Sequence, residues 1–514
     1  METILRIDLS AEGGPRAVRH PLGKYAGLAG RALTTAIIAN EVPPDCEALG
    51  PANKLVIAPG LMSGTAASNC GRLSVGCKNP WTGLLEEANP GGRAAQYLGR
   101  LGVAAVVLEG APPGGALYAV TIGEDGVGVA GADDLRGVTN HTLCRWVGER
   151  RSGAACLCIG PVGEMRLAGA TIASTDRELR PVHHVSRGGV GAVMGRKGVK
   201  CVVIDPGEAE TRPPAEPEAF REASALFLQG LAVYAATGRA DSPHAAGPGG
   251  AGHACAQECG AVSCATFSAG NGRLAARHET AWSHSAECGI SDPDALAELD
   301  HLEADFGLDP VETGRALGLA MRAGVIDFGD AEGAARLVRE AGEGTHLGRI
   351  LASGPSTMAA CFGLEPPSPH PAWPRSDQAL REDADGREAA ERLRSSNDGS
   401  HLLSPKSREQ VSRNLRIASA AMDSTGFCRF VVLAILEQGR TFEAMVDTIN
   451  AMHGLRLTPD DLVELGRNIL ETEHNFNQRV RSPAPDVRPR GPLAGAFCRP
   501  SGAEPERREE TGHA

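Results

Sequence analysis

Residues 53–83, NKLVIAPGLMSGTAASNCGRLSVGCKNPWTG, decide how the N-terminal half is read. LVIAP at 55–59 is an apolar run of strand length that ends on a turn, and a long Gly-rich loop follows it. The same unit recurs on either side. It appears as LRIDL near the start, AAVVLEG (104–110), ALYAVTIG (116–123), ACLCIG (155–160) and VKCVVID (199–205). Residues 1–206 therefore read as a β-rich domain. GEAETRPPAEP at 207–217 has the composition of a linker.

Beyond the linker the pattern becomes helical. Ser291-Asp-Pro-Asp opens a helix with Leu296, Leu299 and Leu302 on one face, stopping near Gly307. Asp309-Pro310-x-Glu312 opens another, with Asp309 as N-cap, Pro310 at the first helical position and Glu312 placed to complete a capping box. Thr458-Pro459-x-Asp461 repeats that chemistry ahead of Leu462, Leu465, Ile469 and Phe476. The fold class expected is α+β, a β-rich domain followed by mostly helical ones. The segments are 1–206, 218–363, a polar stretch at 364–408, a helical one at 409–481, and a Pro/Arg/Glu-rich tail at 482–514 expected to be disordered.

Composition excludes several classes. With 42% hydrophobic residues, disorder is not the dominant state. A net charge of −12 argues against a general nucleic-acid binder. The longest strongly apolar run, Phe430 to Leu436, is far short of the roughly 20 residues of a membrane span. METILRIDLS lacks the charged and apolar regions of a secretory signal, so a cytoplasmic location is expected.

Four features carry chemistry. The Gly-rich loops at 58–83, with EEANPGG at 86–92, and SRGGVGAVMGRKGVK at 186–200 put backbone N–H groups beside Arg and Lys. That combination suits phosphate, although tight turns in a β-rich domain are the commoner reading of such glycines. RGGVGAVMG lacks the spacing of a dinucleotide fingerprint. ACAQECGAVSC (254–264) offers the thiols of Cys255, Cys259 and Cys264 within one loop. Iron–sulfur, which needs a fourth ligand commonly distant in sequence, is favoured over zinc, which more often shows two short Cys pairs, and over incidental cysteines. DFGLD (305–309) and DSTGFC (423–428) form a near-repeat at helix seams. Glu279 follows His278 and precedes Trp282.

Together these segments resemble the aldehyde ferredoxin oxidoreductase family, the tungsten, occasionally molybdenum, pterin enzymes. The 53–92 loop, IGPVGE (159–164), the 186–200 loop, ETAW followed by CGI (279–290), FGLDPVETG (306–314), MDSTGFC (422–428) and LTPDDLVELGRNILETEHNFN (457–477) follow in the family's order. The resemblance implies a β-rich base of about 200 residues carrying two pterin dithiolenes, covered by two helical domains. Arg72, Asn89, Gly91 and Gly92 would lie along one pterin and its phosphates, with Arg187, Gly188 and Gly189 from the second loop. Mg bridging the phosphates is a further option. Asp309, Asp423 and Phe427 would come from the two turns. Cys255, Cys259, Cys264 and Cys428 would hold a [4Fe–4S] cluster, with Cys498 and Cys288 as rival fourth ligands. Glu279 would be the general base beside the metal. The implied activity is oxidation of a small aldehyde to its acid, with electrons passed to ferredoxin; a homodimer is left open.

The chain also departs from the family's pattern. Its Cys triad is spaced x3 and x4 where x2 and x3 is usual, and Ala304 stands where the first turn's leading acid is expected, with Asp305 one place late. Nothing in 364–408 matches the segment that usually lines the substrate pocket, and 225–255 is shortened. The alternative is a non-catalytic redox-relay or assembly subunit, or a relative that has lost the pocket.

Overall fold

The structure is a computed structural model that describes residues 1–186, 188–236, 252–253, 264–265, 276–365, 405–428 and 431–480. Residues 1–206 fold as two six-stranded sheets. Strands β1 (Thr3–Asp8), β2 (Arg16–Pro21), β3 (Leu55–Pro59), β4 (Leu73–Lys78), β5 (Leu85–Ala88) and β6 (Val103–Glu109) lie in the order β2-β1-β6-β3-β4-β5. Strands β7 (Tyr118–Gly123), β8 (Gly126–Gly131), β9 (Ala155–Cys158), β10 (Ile172–Ser174), β11 (His183–Val185) and β12 (Val199–Asp205) lie in the order β8-β7-β12-β9-β10-β11.

The two orders are the same. Each sheet has one parallel pair, β1 with β6 and β7 with β12, and its other pairs are antiparallel. Even the register repeats: Val56 faces Val107 as Cys156 faces Val203. The helices repeat too. Among α1 (Gly30–Glu41), α2 (Ala94–Arg100), α3 (Asn140–Arg150), α4 (Pro161–Glu164) and α5 (Val190–Arg196), α1 and α3 each precede a sheet's third strand, and α2 and α5 each precede its last. The domain is an internal duplication.

Period-two alternation along the strands sets the layers. Leu55, Ile57, Val106 and Leu108 of the first sheet share one core with Leu157, Val202 and Ile204 of the second. Their alternates face outward under a helix: Val56, Ala58, Ala105 and Val107 under α1, and Cys156, Cys158, Cys201 and Val203 under α3. The quoted strands LVIAP and VKCVVID are β3 and β12. The stretches read as loops, however, also hold α1, α2, α3 and α5. The linker is fastened down as well: Arg212 donates to the carbonyls of Leu61 (2.9 Å) and Ser63 (2.7 Å).

The rest is mostly helical and builds two cores. One gathers Leu299, Leu317, Leu337 and Leu351; the other gathers Phe227, Leu231, Phe427, Met445, Ile449 and Leu462. Asp292 caps the helix Pro293–Phe306 through Ala295 N–H (2.8 Å). Asp309 caps Pro310–Arg322 through Val311 N–H (3.0 Å) and Glu312 N–H (3.1 Å). Glu312 faces Arg315 at 3.6 Å, so the capping reading holds for Asp309 but the box does not form. The box does form at Thr458, which accepts from Asp461 N–H (3.3 Å) while Thr458 N–H donates to Asp461 (2.7 Å). Thr458→Ala is expected to cost about 1 kcal/mol, read as a lower denaturation midpoint. The polar stretch falls largely outside the described residues, and the helix Pro405–Thr425 begins just within it. The tail also lies outside the described residues. Among those described, no helix is long and apolar enough to cross a membrane.

Candidate cofactor-binding site

The duplicated domain receives one helix-ending turn on each half. On the first, Leu61 N–H donates to Ser424 O (3.0 Å), Met62 N–H to Thr425 O (2.8 Å), Arg72 N–H to Gly426 O (3.1 Å) and Cys428 N–H to Asn69 O (2.7 Å). On the second, Thr171 N–H donates to Gly307 O (2.8 Å) and Asp309 N–H to Gly169 O (2.9 Å). Cys70 bridges Phe427 as Ala170 bridges Leu308. Asp309 and Cys428 thus occupy equivalent places. The approach is close enough to require glycine: a Cβ on Gly60 would overlap Gly426, and one on Gly160 would overlap the Phe306 carbonyl.

Each turn also caps a helix of the β-rich domain. The residues before α1 and α3, Ala29 and Thr139, give no side-chain cap of their own. Instead Ser424 Oγ accepts from Ala32 N–H (3.0 Å), and Asp305 Oδ1 accepts from His141 N–H (2.8 Å). Burial alone would raise the Asp305 carboxyl, but the hydrogen bonds from His141 outweigh it and hold the carboxyl below its ordinary range. This explains the displaced acid: Asp305 serves a helix terminus across the seam.

The two Gly-rich loops lean on each other's half. Ser174 Oγ donates to Gly91 O (2.9 Å), and Arg93 N–H donates to Thr175 O (3.1 Å). Gly92, at φ 106°, would place a Cβ 2.7 Å from Thr175 O; Gly188, at φ 76°, would drive one into the Asn79 amide. Arg72 is buried, with its guanidinium on the Asn89 side-chain oxygen (2.6 Å) and Asn89 carbonyl. Asn89 donates to Ser74 Oγ (3.1 Å), which donates to Asp423 O (3.2 Å). Sequence-picked Arg72, Asn89, Gly91, Gly92 and Asp423 therefore come together, while Arg187 lies outside the described residues. A buried guanidinium between crossed loops too tight for any Cβ fits a phosphorylated anion.

Arg31 anchors this floor. It reaches Glu473 through Nε (2.8 Å) and Nη2 (2.9 Å), Asp423 through Nη1 (3.2 Å), and stands 3.8 Å from Glu87. One guanidinium faces three carboxyls. Burial, then the Asp423 charge, pushes Glu87 up to about 8 from its ordinary 4.5. A carboxyl whose pKa is raised on folding contributes its full stability at low pH and loses it as pH rises. Between pH about 4.5 and 8 this position should therefore weaken the fold as pH climbs. Glu87→Gln, which mimics the protonated acid, should flatten that fall and be the more stable protein at pH 8.5. Denaturation midpoints from pH 5 to 8.5 measure it, and parallel curves would refute it.

Glu279 sits half-buried in the first turn of the helix His278–Cys288. Arg277, just before it, binds Asp300 at 2.7 Å. Behind lies a fully buried pair, His284 and Glu303, 3.0 Å apart. Burial opposes charge on His284, but the carboxylate outweighs it and raises the imidazole above 6.5. Cys288 donates its thiol to Gly314 O (3.2 Å), and burial pushes it up to about 12, so it is bound as a neutral thiol. Cys428 is buried at the turn. Cys255, Cys259 and Cys498 lie outside the described residues, and of Cys264 only its place in the strand Cys264–Ala265 is described. A cavity of about 610 Å³ abuts the turn at Ser424 and Thr425, with walls from Ala29 and Ala32, Leu61, and His453 through Asn468, and none from the 86–92 or 186–189 loops.

Residues 4–206 match the family described as aldehyde ferredoxin oxidoreductase, N-terminal domain, and residues 236–372 and 377–493 match its domains 2 and 3. The chain belongs to the aldehyde ferredoxin oxidoreductase family. Tungsten-containing aldehyde ferredoxin oxidoreductases of Thermococcus kodakarensis and Pyrococcus furiosus are 26% and 25% identical to it, each over 88% of this chain and 84% of the relative. The fold is shared with the active site complex BamBC of benzoyl coenzyme A reductase, at TM-score 0.72 and 18% identity, over 94% of this chain and 89% of that one. The sequence alone did not point to Arg31, Glu87, Ser74 or Ser424, whose contacts build the floor of the site. Glu87 was in view within EEANPGG; Arg31 gave no signal beyond a glycine before it.

Proposed function

We propose that the chain oxidises an aldehyde to a carboxylic acid at a tungsten or molybdenum bis-pterin centre, passing electrons through a [4Fe–4S] cluster to ferredoxin. The duplicated cradle carries this reading. Two like loops and two like turns, related by the fold's own repeat, suit a cofactor made of two like halves. Arg72, Asn89, Gly91 and Gly92 would hold one pterin, and Arg187, Gly188 and Gly189 the other, with Mg between their phosphates as an option. Asp423, Asp309 and Phe427 would close the cradle from the helical side. Cys428, with Cys255, Cys259 and Cys264, would hold the cluster.

When bound, the metal centre would accept two electrons that the cluster releases singly. The chain's own part is position and proton transfer. Arg72 keeps its guanidinium fixed on Asn89 and presents its remaining N–H groups to phosphate. Glu279, on the first turn of a helix anchored by Arg277 and Asp300, takes a proton from water as carbon is oxidised.

The test is elemental analysis of anaerobically purified protein, followed by aldehyde oxidation with an artificial electron acceptor. Tungsten or molybdenum with iron, and turnover of aliphatic or aromatic aldehydes, supports the enzyme. Metal without turnover would instead favour the relay reading that the divergent 364–408 segment suggests. Arg72→Ala should lower tungsten or molybdenum content severalfold while leaving the fold intact; full metal content in that variant removes Arg72 from the cradle.

A further inference from the structure

Four cysteines converge at a place the proposed reaction does not use. Cys156 and Cys158 alternate along β9 and so face the same side of the sheet. Cys201 on β12 is the register partner of Cys158, and Cys144 comes from α3 packed over that face. All four are buried, none above 1% exposed. The sulfurs of Cys144, Cys156 and Cys158 lie within 4.8 Å of one another, with Cys144 and Cys158 at 3.9 Å. The Cys201 thiol adjoins Cys156. Sulfurs around one tetrahedral zinc, at Zn–S of about 2.3 Å, stand about 3.8 Å apart.

The duplicated fold provides an internal control. The registers of the two sheets place Cys156, Cys158 and Cys201 where the first half has Val56, Ala58 and Ala105. Counted from the first residue of each helix, Cys144 corresponds to Thr34. All four counterparts are buried. A helix-over-sheet layer of this shape is thus filled without any thiol in one half and by four thiols in the other. Packing alone does not call for them.

Positive charge lies beside the layer, where Lys200 and His141 both act on Cys158. Lys200 is itself fully buried and fixed on Glu164 and the Val138 carbonyl (2.6 Å). A soft cation at the point of convergence would displace the thiol protons and balance the resulting thiolates within the apolar layer.

We propose that Cys144, Cys156 and Cys158, with Cys201 as the fourth thiol, form a structural site for one thiophilic cation, Zn²⁺ or Cu⁺, separate from the pterin and cluster ligands. Being enclosed, the site fills as the domain folds, and the ion ties α3 to the second sheet.

The experiment uses the full chain expressed with zinc and, separately, with copper, in a Cys428→Ser background so that metal at the cluster position does not mask the result. About one equivalent of zinc or copper per chain is expected, with an all-sulfur first shell at about 2.3 Å by X-ray absorption; the absorption edge tells the two ions apart. The triple variant Cys144→Thr, Cys156→Val, Cys158→Ala installs the residues of the first half and should lose that metal at least tenfold while keeping its circular dichroism. Cys156→Ser alone, a smaller change in packing, should also lose it. Three outcomes overturn the proposal: no zinc or copper in the parent protein, a nitrogen or oxygen shell, or metal content unchanged in a folded variant.

Discussion

Glu279→Gln is expected to lose roughly 10²–10⁴ in aldehyde oxidation rate, with tungsten, molybdenum and iron content unchanged. The expectation rests on where the side chain stands. It is half-buried in the first turn of the helix His278–Cys288, directly after Arg277. The Arg277 guanidinium is engaged by Asp300 and feels the charge of both Glu303 and Glu279. A carboxylate at that place offers an acceptor for the proton that water gives up as carbon is oxidised. Gln keeps the shape and one acceptor but cannot take the proton. The loss should fall on kcat more than on KM. Equal rates at matched metal content would remove Glu279 from the mechanism and leave it as a helix-start residue.

Local features of the fold were legible because local physics sets them. LVIAP and VKCVVID are bounded by turns and coincide with β3 and β12. Asp292, Asp309 and Thr458 cap helices because each offers a side-chain oxygen to a first-turn N–H, and the Pro after each marks the helix start in the text. The near-repeat DFGLD and DSTGFC was visible as text, and the structure gives it a reason: both turns pair with equivalent loops of a duplicated domain. The duplication itself was not legible. Its two halves fill the same layer with different residues, Val56 and Ala58 against Cys156 and Cys158, so the shared register leaves no shared text. The helices α1 and α3 were missed because their caps, Ser424 and Asp305, come from residues hundreds of positions away or across a domain seam. Cys144, Cys156, Cys158 and Cys201 were overlooked for a related reason. Their convergence depends on strand order, and only the Cys-x-Cys of β9 hinted at it. The triad at 255–264, by contrast, is compact in the sequence itself.

Arg31→Met is expected to destabilise the protein by about 3–5 kcal/mol, the usual cost of stranding buried charge. Three carboxyls converge on this one side chain from three parts of the chain: Glu87 on β5, Asp423 on the second turn, and Glu473 on the helix Pro459–Arg479. Arg31 lies on α1, so the contact joins the first sheet to the C-terminal helices. Without it, Asp423 and Glu473 must either repel each other in a dry site or take protons, as Glu87 already does. Met fills much of the volume, which separates lost charge from a lost side chain. Arg31→Lys keeps the charge but cannot reach Glu473 with two N–H groups while also holding Asp423, so it should recover only part of the loss. The damage should shrink at pH 5, where protonation of the acids relieves the repulsion. Denaturation midpoints of the three proteins at pH 5 and pH 8 make the comparison. A Met variant as stable as the parent at pH 8 would mean that water solvates the acids and that Arg31 does not anchor the floor of the cradle.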